Sequence, residues 1–384
     1  MKNLFLLGAT GSIGTQVLEI IKDKDYCVRS VACGKNIKKL IEIIEQVKPE
    51  FVSVENESDA IQLAQKYPMI KFGYGEKGIV EAATYSNLPG IVINAVVGIA
   101  GLEATVAAIK AHRDVLLANK ETLVVAGDII NKLLKENNVK LIPIDSEHNA
   151  ILRLINQDKL KRVIITASGG AFKNKSREEL TDVTISDALN HPNWSMGAKI
   201  TVDCATMVNK GLEVMEAHHL FGLDYDMIDT IVHPESIIHS MVEYNDKSVL
   251  ALMYQPTMLN PIQHALLGSA EELELQSVDF ETIGSLTFRK MDYDRYPMIK
   301  LAYEVGRMKG IMPLVYNASN EIAVKLFLEG KIKFLEIENI ITNAVSKYKS
   351  KNEYYLNNES EFTIENLLKL DKLVRQEVLD EVNK

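Results

Sequence analysis

A glycine-rich turn near the N-terminus constrains the fold of this 384-residue chain more than any other feature. Leu4–Leu7 reads as a short apolar strand, and Ile13–Lys22 carries apolar residues at helical spacing. Gly8-Ala-Thr-Gly11-Ser-Ile-Gly14 joins the two. The same alternation of apolar runs and amphipathic segments continues to about residue 145. Strands are expected at Val28–Cys33, Phe51–Val54, Ile91–Asn94, Val115–Ala118 and Lys140–Ile144, and helices at Ile37–Val47, Leu102–Ala111 and Glu121–Glu136. This is the pattern of a parallel sheet flanked by helices, an α/β domain over residues 1–145.

Residues 146–267 have a different texture. Val163–Ala167 reads as a strand opening into Ser168-Gly-Gly-Ala-Phe172, followed by a polar helix. A loop, Asn190-His-Pro-Asn-Trp-Ser-Met-Gly197, holds the only Trp. Ile228–Val232, Ile237–Tyr244 and Ser248–Met253 read as strands, the last two forming a hairpin at Asn245-Asp246-Lys247. This is an α+β domain with its own sheet. Residues 268–295 read as a linker. Residues 296–384 read as a helical bundle, with helices expected at Ile299–Lys309, Ala318–Leu328 and Ile364–Val382.

With 47% hydrophobic and 25% charged residues, the composition is that of a globular protein. A formal net charge of −9 argues against non-specific nucleic-acid binding and leaves room for a local basic pocket. Three cysteines without a CxxC motif fit reduced thiols in a cytoplasm. Leu4–Leu7 is too short for a signal-peptide core, and the apolar stretch Ile91–Leu102 is too short for a membrane span. A cytoplasmic protein is expected.

The Gly8–Gly14 turn stands where a dinucleotide-binding turn must stand. Small residues let the backbone approach a pyrophosphate, and the helix start supplies N–H donors. Its GxxGxxG spacing differs from the usual GxGxxG, and a glycine turn without a nucleotide remains the alternative. An NAD site usually ends its second strand on an acidic residue. Here the end reads Ala32-Cys-Gly34-Lys35-Asn36, and a Lys at that place favours the 2′-phosphate of NADPH. Asn119, Lys120 and Glu121 follow a late strand, on the rim where nicotinamide and substrate would meet; they could equally start a helix.

Leu141-Ile-Pro-Ile-Asp145-Ser146-Glu147-His148-Asn149 joins a buried strand to two carboxylates. In an extended chain Asp145 and Glu147 face the same side, and oxygen ligands suit Mg²⁺ or Mn²⁺. The competing reading makes Asp145 or Ser146 the cap of a helix starting near Asn149. Thr206–Glu216 reads as one helix with Asn209, Glu213 and Glu216 on a common face and Lys210 beside them. Either glutamate could complete a cation site, or the face is simply exposed. Ser168, Asn209 and Lys210 offer donors for a phosphate, and Gly169-Gly170 would let backbone approach it. His191 and Trp194 lie on a loop long enough to act as a lid. The remaining histidines lack zinc spacing.

Taken in order, Gly8–Gly14, Leu117-Ala-Asn-Lys-Glu121, Pro143–Asn149, Ala167-Ser-Gly-Gly170, His191-Pro-Asn-Trp194 and Asn209-Lys-Gly-Leu-Glu213 closely resemble the 1-deoxy-D-xylulose 5-phosphate reductoisomerases, over essentially the whole chain. The resemblance implies a Rossmann-like NADPH domain, a catalytic domain with a flap at about 184–198, and a C-terminal helical domain. It implies a homodimer that uses NADPH and Mg²⁺ or Mn²⁺ to convert that phosphorylated sugar to 2-C-methyl-D-erythritol 4-phosphate. By motif match, Asp145, Glu147 and Glu213 are implied as metal ligands. Ser146, Glu147, Ser168, His191, Cys204, Asn209, Lys210, Glu213 and Lys120 are implied as substrate contacts. Thr10, Gly11, Ser12, Ile13, Gly34, Lys35, Asn36, Asn119, Glu121 and the Gly197 backbone are implied as NADPH contacts. Glu147, Lys120 and His191 are the candidate catalytic groups, with no single general base assigned. One departure stands out. The family generally has Ser where this chain reads Asp203-Cys204-Ala205, and a thiol is the weaker donor to phosphate.

Overall fold

The computed structural model describes residues 2–194, 196–268 and 275–383. The chain forms two compact units: Met1–Thr122 with Asp128–Asn149 and Met258–Leu273, and Leu123–Gly127 with Ala150–Thr257 and Glu274–Lys384.

Among the described residues, the first unit holds a seven-stranded sheet. Its strands are β1 (Lys2–Leu7), β2 (Tyr26–Ala32), β3 (Phe51–Val54), β4 (Lys71–Tyr74), β5 (Ile91–Asn94), β6 (Asp114–Leu117) and β7 (Leu141–Pro143). They run parallel in the order β4-β3-β2-β1-β5-β6-β7. From β1 the chain steps outward to β4, then crosses back to β5 on the other side of β1. The carboxyl ends of β1 and β5 are therefore the switch point at which open α/β sheets bind ligands. Leu4, Leu6, Val31, Val52 and Ile93 build the core with Val17, Leu18, Leu40 and Ile43 from the covering helices. Two helices, Glu57–Lys66 and Gly75–Thr84, and the strand β4 lie in a stretch the sequence pattern left unassigned.

The helix Leu259–Leu267 also packs into this core through Ile262, Ala265 and Leu266, and the Tyr26 hydroxyl donates to Leu266 O at 3.0 Å. The boundary expected at 267 thus falls at the end of a helix that belongs to the first unit.

The second unit is built on a mixed sheet of β8 (Leu160–Ala167), β9 (Ile228–Val232), β10 (Ile238–Tyr244), β11 (Val249–Met253) and β12 (Arg289–Lys290), in the order β11-β10-β8-β9-β12. β10 and β11 form the expected antiparallel hairpin. β12 comes from the segment read as a linker, where Arg289 and Lys290 pair with Val232 and Ile231. The polar helix expected after Phe172 is instead a 3-10 turn, Glu178–Leu180, and a four-residue helix, Ile185–Ala188. Thr184 and Asp187 close a capping box on the latter, which suffices for one turn in a segment with few apolar residues.

The helix read over Thr206–Glu216 is in fact two, Ala198–Thr206 and Val208–Phe221, broken at Met207 with φ of 63°. Four further helices of the unit are Pro297–Met308, Met312–Leu328, Phe334–Asn357 and Ile364–Val382. Met312–Leu328 is buried along nearly its whole length. Gly211 lets the helix Pro297–Met308 close on Val208–Phe221, because a Cβ there would stand 2.5 Å from Ala302 Cβ. Among the described residues no helix is long and apolar enough to cross a membrane.

Candidate active site

In the first unit, the turn after β1 is shaped by what it lacks. Gly8 has φ of 83°, and a Cβ on it would stand 2.4 Å from Ala95 O in the loop after β5. A Cβ on Gly14 would stand 2.4 Å from Gly8 O. Both glycines are therefore required for the turn to fold back tightly enough to expose the start of the helix Ser12–Ile20. That helix has no side-chain cap at Gly11 and no acidic residue in its first turn. Uncapped N–H groups with their positive dipole end at a switch point suit a pyrophosphate. Ser12 and Gly11 are exposed there, and Thr10 and Ile13 are half-buried.

Gly34, Lys35 and Asn36 follow β2, all exposed. Lys35 Nζ stands 3.3 Å from a Glu55 carboxylate oxygen at the end of β3, a neighbour the sequence pattern did not flag. Asn36 caps the helix Ile37–Val47, its side-chain oxygen accepting the Lys39 N–H at 3.1 Å.

Asn119 caps the helix Lys120–Asn137. Its oxygen accepts from the Thr122 N–H and hydroxyl, while its NH₂ donates to Val96 O and Gly98 O at 2.7 Å each and to Glu121 at 3.2 Å. The side chain is consumed in holding the β5 and β6 loops together, so what it offers a cofactor is its backbone.

Asp145 emerges from β7 beside the end of β6. Ile144 N–H donates to Leu117 O at 2.8 Å, which brings Lys120 Nζ to 2.7 Å from Asp145 Oδ2. The helix begins at Ser146, three residues earlier than Asn149. The extended geometry that would place Asp145 and Glu147 on one side is therefore replaced by a helix start. There the Glu147 N–H reaches Asp145 Oδ1 at 3.2 Å, and the Ser146 hydroxyl donates to Glu147 at 2.5 Å. His148 Nδ1 lies 3.3 Å from Asp145 Oδ1 and is fully buried. Burial by itself would push the Asp145 carboxyl up. Lys120 and His148 outweigh it and hold the group well below the usual carboxylate range. Asp145 thus both caps a helix and stands ionised with a cation on it.

In the second unit, Ser168 follows β8, and the next two residues, Gly169 and Gly170, have φ of 90° and 67°. A Cβ on Gly170 would stand 2.5 Å from Cys204 O. The glycine pair is what allows the Ser168 turn to lie against the helix carrying Cys204. That thiol is half-buried. Ser168 Oγ lies 3.0 Å from His191 Nε2. Burial, with Lys173 adding to it, lowers the His191 imidazole to about 4. Gly197, exposed, precedes the helix Ala198–Thr206.

Asn209, Lys210 and Glu213 sit together, buried, in the first turns of Val208–Phe221. Asn209 donates to Glu213 Oε1 at 2.6 Å, and Lys210 Nζ donates to Glu213 Oε2. The face whose exposure the sequence left open is interior: Glu213 is 1% exposed and Glu216 0%. The Met207 break leaves a second helix start with no side-chain cap and no acid in its first turn.

The donor sets fit the two groups the motifs call for. The glycine cradle and open helix start of the first unit suit a dinucleotide. Asp145 in the first unit and Glu213 in the second are each paired with a lysine ammonium, and carboxylate oxygens are the donors that a hard cation takes.

Comparison with known proteins agrees with this chemistry. Residues 4–127 match the family model for 1-deoxy-D-xylulose 5-phosphate reductoisomerase. Residues 141–221 match the model for that enzyme's C-terminal domain, and residues 253–377 match a further DXP reductoisomerase C-terminal domain. The chain is 47% identical to the 1-deoxy-D-xylulose 5-phosphate reductoisomerase of Lysinibacillus sphaericus over 390 aligned residues, covering 100% of both chains. It is 51% identical to that of Shouchella clausii, covering 91% of this chain and 94% of the relative. A solved DOX-P reductoisomerase in complex with NADPH, fosmidomycin and magnesium superposes with a TM-score of 0.95 at 35% identity, covering 100% of this chain and 98% of the other. The enzyme of Zymomonas mobilis in complex with NADPH gives 0.87 at 35% identity, covering 99% of each chain. The chain belongs to the 1-deoxy-D-xylulose 5-phosphate reductoisomerase family.

Proposed function

We propose that this chain catalyses the NADPH- and divalent-metal-dependent rearrangement and reduction of 1-deoxy-D-xylulose 5-phosphate to 2-C-methyl-D-erythritol 4-phosphate. Family membership names the reaction. The observation that carries it to these residues is Asp145, a half-buried carboxylate held ionised by Lys120 and His148 and set next to Glu147.

The proposed metal ligands are Asp145, Glu147 and Glu213. The proposed cofactor contacts are Thr10, Gly11, Ser12, Ile13, Gly34, Lys35, Asn36, Asn119, Glu121 and the Gly197 backbone. When bound, a Mg²⁺ or Mn²⁺ ion supplies Lewis-acid polarisation of the ketone and adjacent hydroxyl, and NADPH supplies hydride. The chain's own residues bind, orient and neutralise. Lys120 and Lys210 are the resting counter-ions of Asp145 and Glu213. Were Asp145, Glu147 and Glu213 to hold the metal, Lys120 would contact the substrate close to it, and Lys210, with Asn209, would bind the substrate phosphate. Ser146 is placed to contact substrate beside the carboxylates. Ser168 and His191 bind the phosphate, with Cys204 a weaker contact because of its thiol. Glu147 and Lys120 remain the candidate proton-transfer groups. Phosphate binding far from the reacting carbons supplies energy for closing the 184–198 segment over the site.

The working form is read as a homodimer, by likeness to the family, and its compartment as the cytoplasm, on three cysteines that all stand as thiols. Oxidation of NADPH by the purified chain with 1-deoxy-D-xylulose 5-phosphate, with and without Mg²⁺ and with a chelator, tests the reading. Folded protein that turns over no substrate, or that does so equally well in chelator, overturns it.

A further inference from the structure

The His191–Trp194 loop contains a residue with no assigned role whose geometry bears on phosphate binding. The N–H groups of Asn193 and Trp194 both donate into His191 Nδ1, at 3.2 and 3.0 Å. A ring nitrogen that accepts carries no proton, so the neutral imidazole has its single hydrogen on Nε2. Nε2 lies 3.0 Å from Ser168 Oγ, and that oxygen also accepts the Gly170 N–H at 3.1 Å. With both lone pairs of Ser168 engaged, its own O–H is the group left to donate outward.

The opposite tautomer would undo this chain of donors. A hydrogen on Nδ1 would face two N–H donors, and the bare Nε2 would claim the Ser168 hydroxyl hydrogen. The turn would then present lone pairs where an anion needs donors. A protonated ring is disfavoured for the same reason, in keeping with its lowered pKa of about 4.

The loop is held in place by Asn193. Its NH₂ group donates to Pro234 O at 2.7 Å and to Ser236 Oγ at 2.8 Å. Both acceptors belong to the tight connection between β9 and β10, where Ser236 has φ of 56° and donates its N–H to His233 O at 3.2 Å. The carboxamide therefore fastens this loop to the connection that links the two neighbours of β8, the strand that delivers Ser168.

We infer that Asn193 is a positioning residue for the phosphate end of the site: it holds two loop amides on His191 Nδ1, locks the Nε2–H tautomer, and so keeps the Ser168 hydroxyl as a donor to phosphate. The inference rests on the phosphate reading proposed above for Ser168 and His191, but its structural half can be measured without substrate.

The test is ¹⁵N-histidine NMR on the full ligand-free chain, with the His191 signal identified by its loss in His191→Gln. Wild-type protein at neutral pH is expected to show the neutral Nε2–H pattern. Asn193→Ala and the isosteric Asn193→Asp, which cannot donate, are expected to show mixed tautomers and a higher His191 pKa. Ser236→Ala, lacking one of the two acceptors, shifts the same way by less and carries the test if the Asn193 variants do not fold. Inorganic phosphate should bind Asn193→Ala roughly 10-fold more weakly than wild type, the scale of one hydrogen bond to a charged group. In turnover, KM for the phosphorylated substrate should rise by a similar factor and kcat should fall by a smaller one, because part of the phosphate binding energy closes the loop. A wild-type Nδ1–H or imidazolium pattern overturns the inference. So do folded variants with wild-type ¹⁵N shifts, or with shifted tautomers and unchanged phosphate affinity. Failure of wild-type turnover with the expected tautomer present would count against the proposed reaction instead.

Discussion

Two buried lysine–carboxylate pairs, Lys120–Asp145 in the first unit and Lys210–Glu213 in the second, have the same chemistry and opposite origins. Lys210 and Glu213 are three apart on one helix, where side chains at that spacing lie over one another. Lys120 and Asp145 are 25 residues apart. They meet because β6 and β7 are neighbouring parallel strands whose carboxyl ends emerge side by side. The Lys210–Glu213 pair follows from helical periodicity alone, the Lys120–Asp145 pair from sheet order. They also differ in support. Asp145 is pinned by its role as a helix start, with the Glu147 N–H on it, whereas Glu213 rides on a helix whose position depends on the close approach at Gly211.

The largest effects are expected at the carboxylates themselves. Asp145→Asn and Glu213→Gln should each lower turnover roughly 10²- to 10³-fold, the range for removing a preorganised charge from an active site. NADPH affinity should stay nearly unchanged, and steady-state kinetics beside cofactor titration would reveal an equal loss of both, which would refute the ligand assignment.

The lysines come next. Removing one partner of a buried ion pair costs about 3–5 kcal/mol. Lys210→Met should fall at the upper end in metal-free urea denaturation and Lys120→Met at the lower end, because the side chains of the first pair are 4% and 1% exposed against 9% and 13% for the second. Added Mg²⁺ should recover part of the loss in both. The reverse ranking would break the comparison.

Gly211→Ala sharpens it from the packing side. The added Cβ overlaps Ala302, and overpacking of this kind costs about 1–3 kcal/mol. Activity should fall through the Glu213 helix while NADPH binding in the first unit is spared, as thermal melts and cofactor titration would show.

The pH response concerns the second unit. His191 has its pKa lowered from 6.5 to about 4 by burial and Lys173. The unfolded chain therefore binds more protons than the folded one between those values. The stability His191 contributes is fully present above about pH 6.5 and is lost as pH falls toward 4. His191→Gln should flatten the stability profile of the metal-free protein in that window, and an unchanged slope would contradict the assignment.

The smallest effect belongs to the exposed Lys35. Lys35→Ala should weaken NADPH binding by less than about 1 kcal/mol, as for a solvent-screened charge, and leave NADH binding unchanged. Equal weakening of both would remove Lys35 from the 2′-phosphate.

Elements carrying strong local signals were legible without coordinates. Ile37–Val47, Phe51–Val54, Ile91–Asn94 and Ile364–Val382 fall where periodicity places them. Glu57–Lys66 and Gly75–Thr84 were not, since their apolar stripes are short and carried by Ala and Gly as much as by larger residues. The break at Met207 was invisible because a methionine in left-handed conformation is stabilised by its surroundings, not by its own preference. Glu55 opposite Lys35 and the tether of Asn193 to Pro234 and Ser236 were missed for a common reason. Each joins residues distant in sequence.

The amino-acid order by itself determined the parallel α/β start, the glycine turns and the residue types proposed for the site: two carboxylates in Asp145-Ser-Glu147, a Lys–Glu step at Lys210–Glu213, and Ser168 before a glycine pair. These are short-range properties, set by backbone freedom and side-chain period. Tertiary structure decided that Asp145 caps a helix and is at the same time an ionised carboxylate paired with Lys120. It also decided that the Glu213 face is interior and which nitrogen of His191 carries the proton. Each of those depends on burial and on partners brought from elsewhere in the chain, and neither quantity is encoded locally.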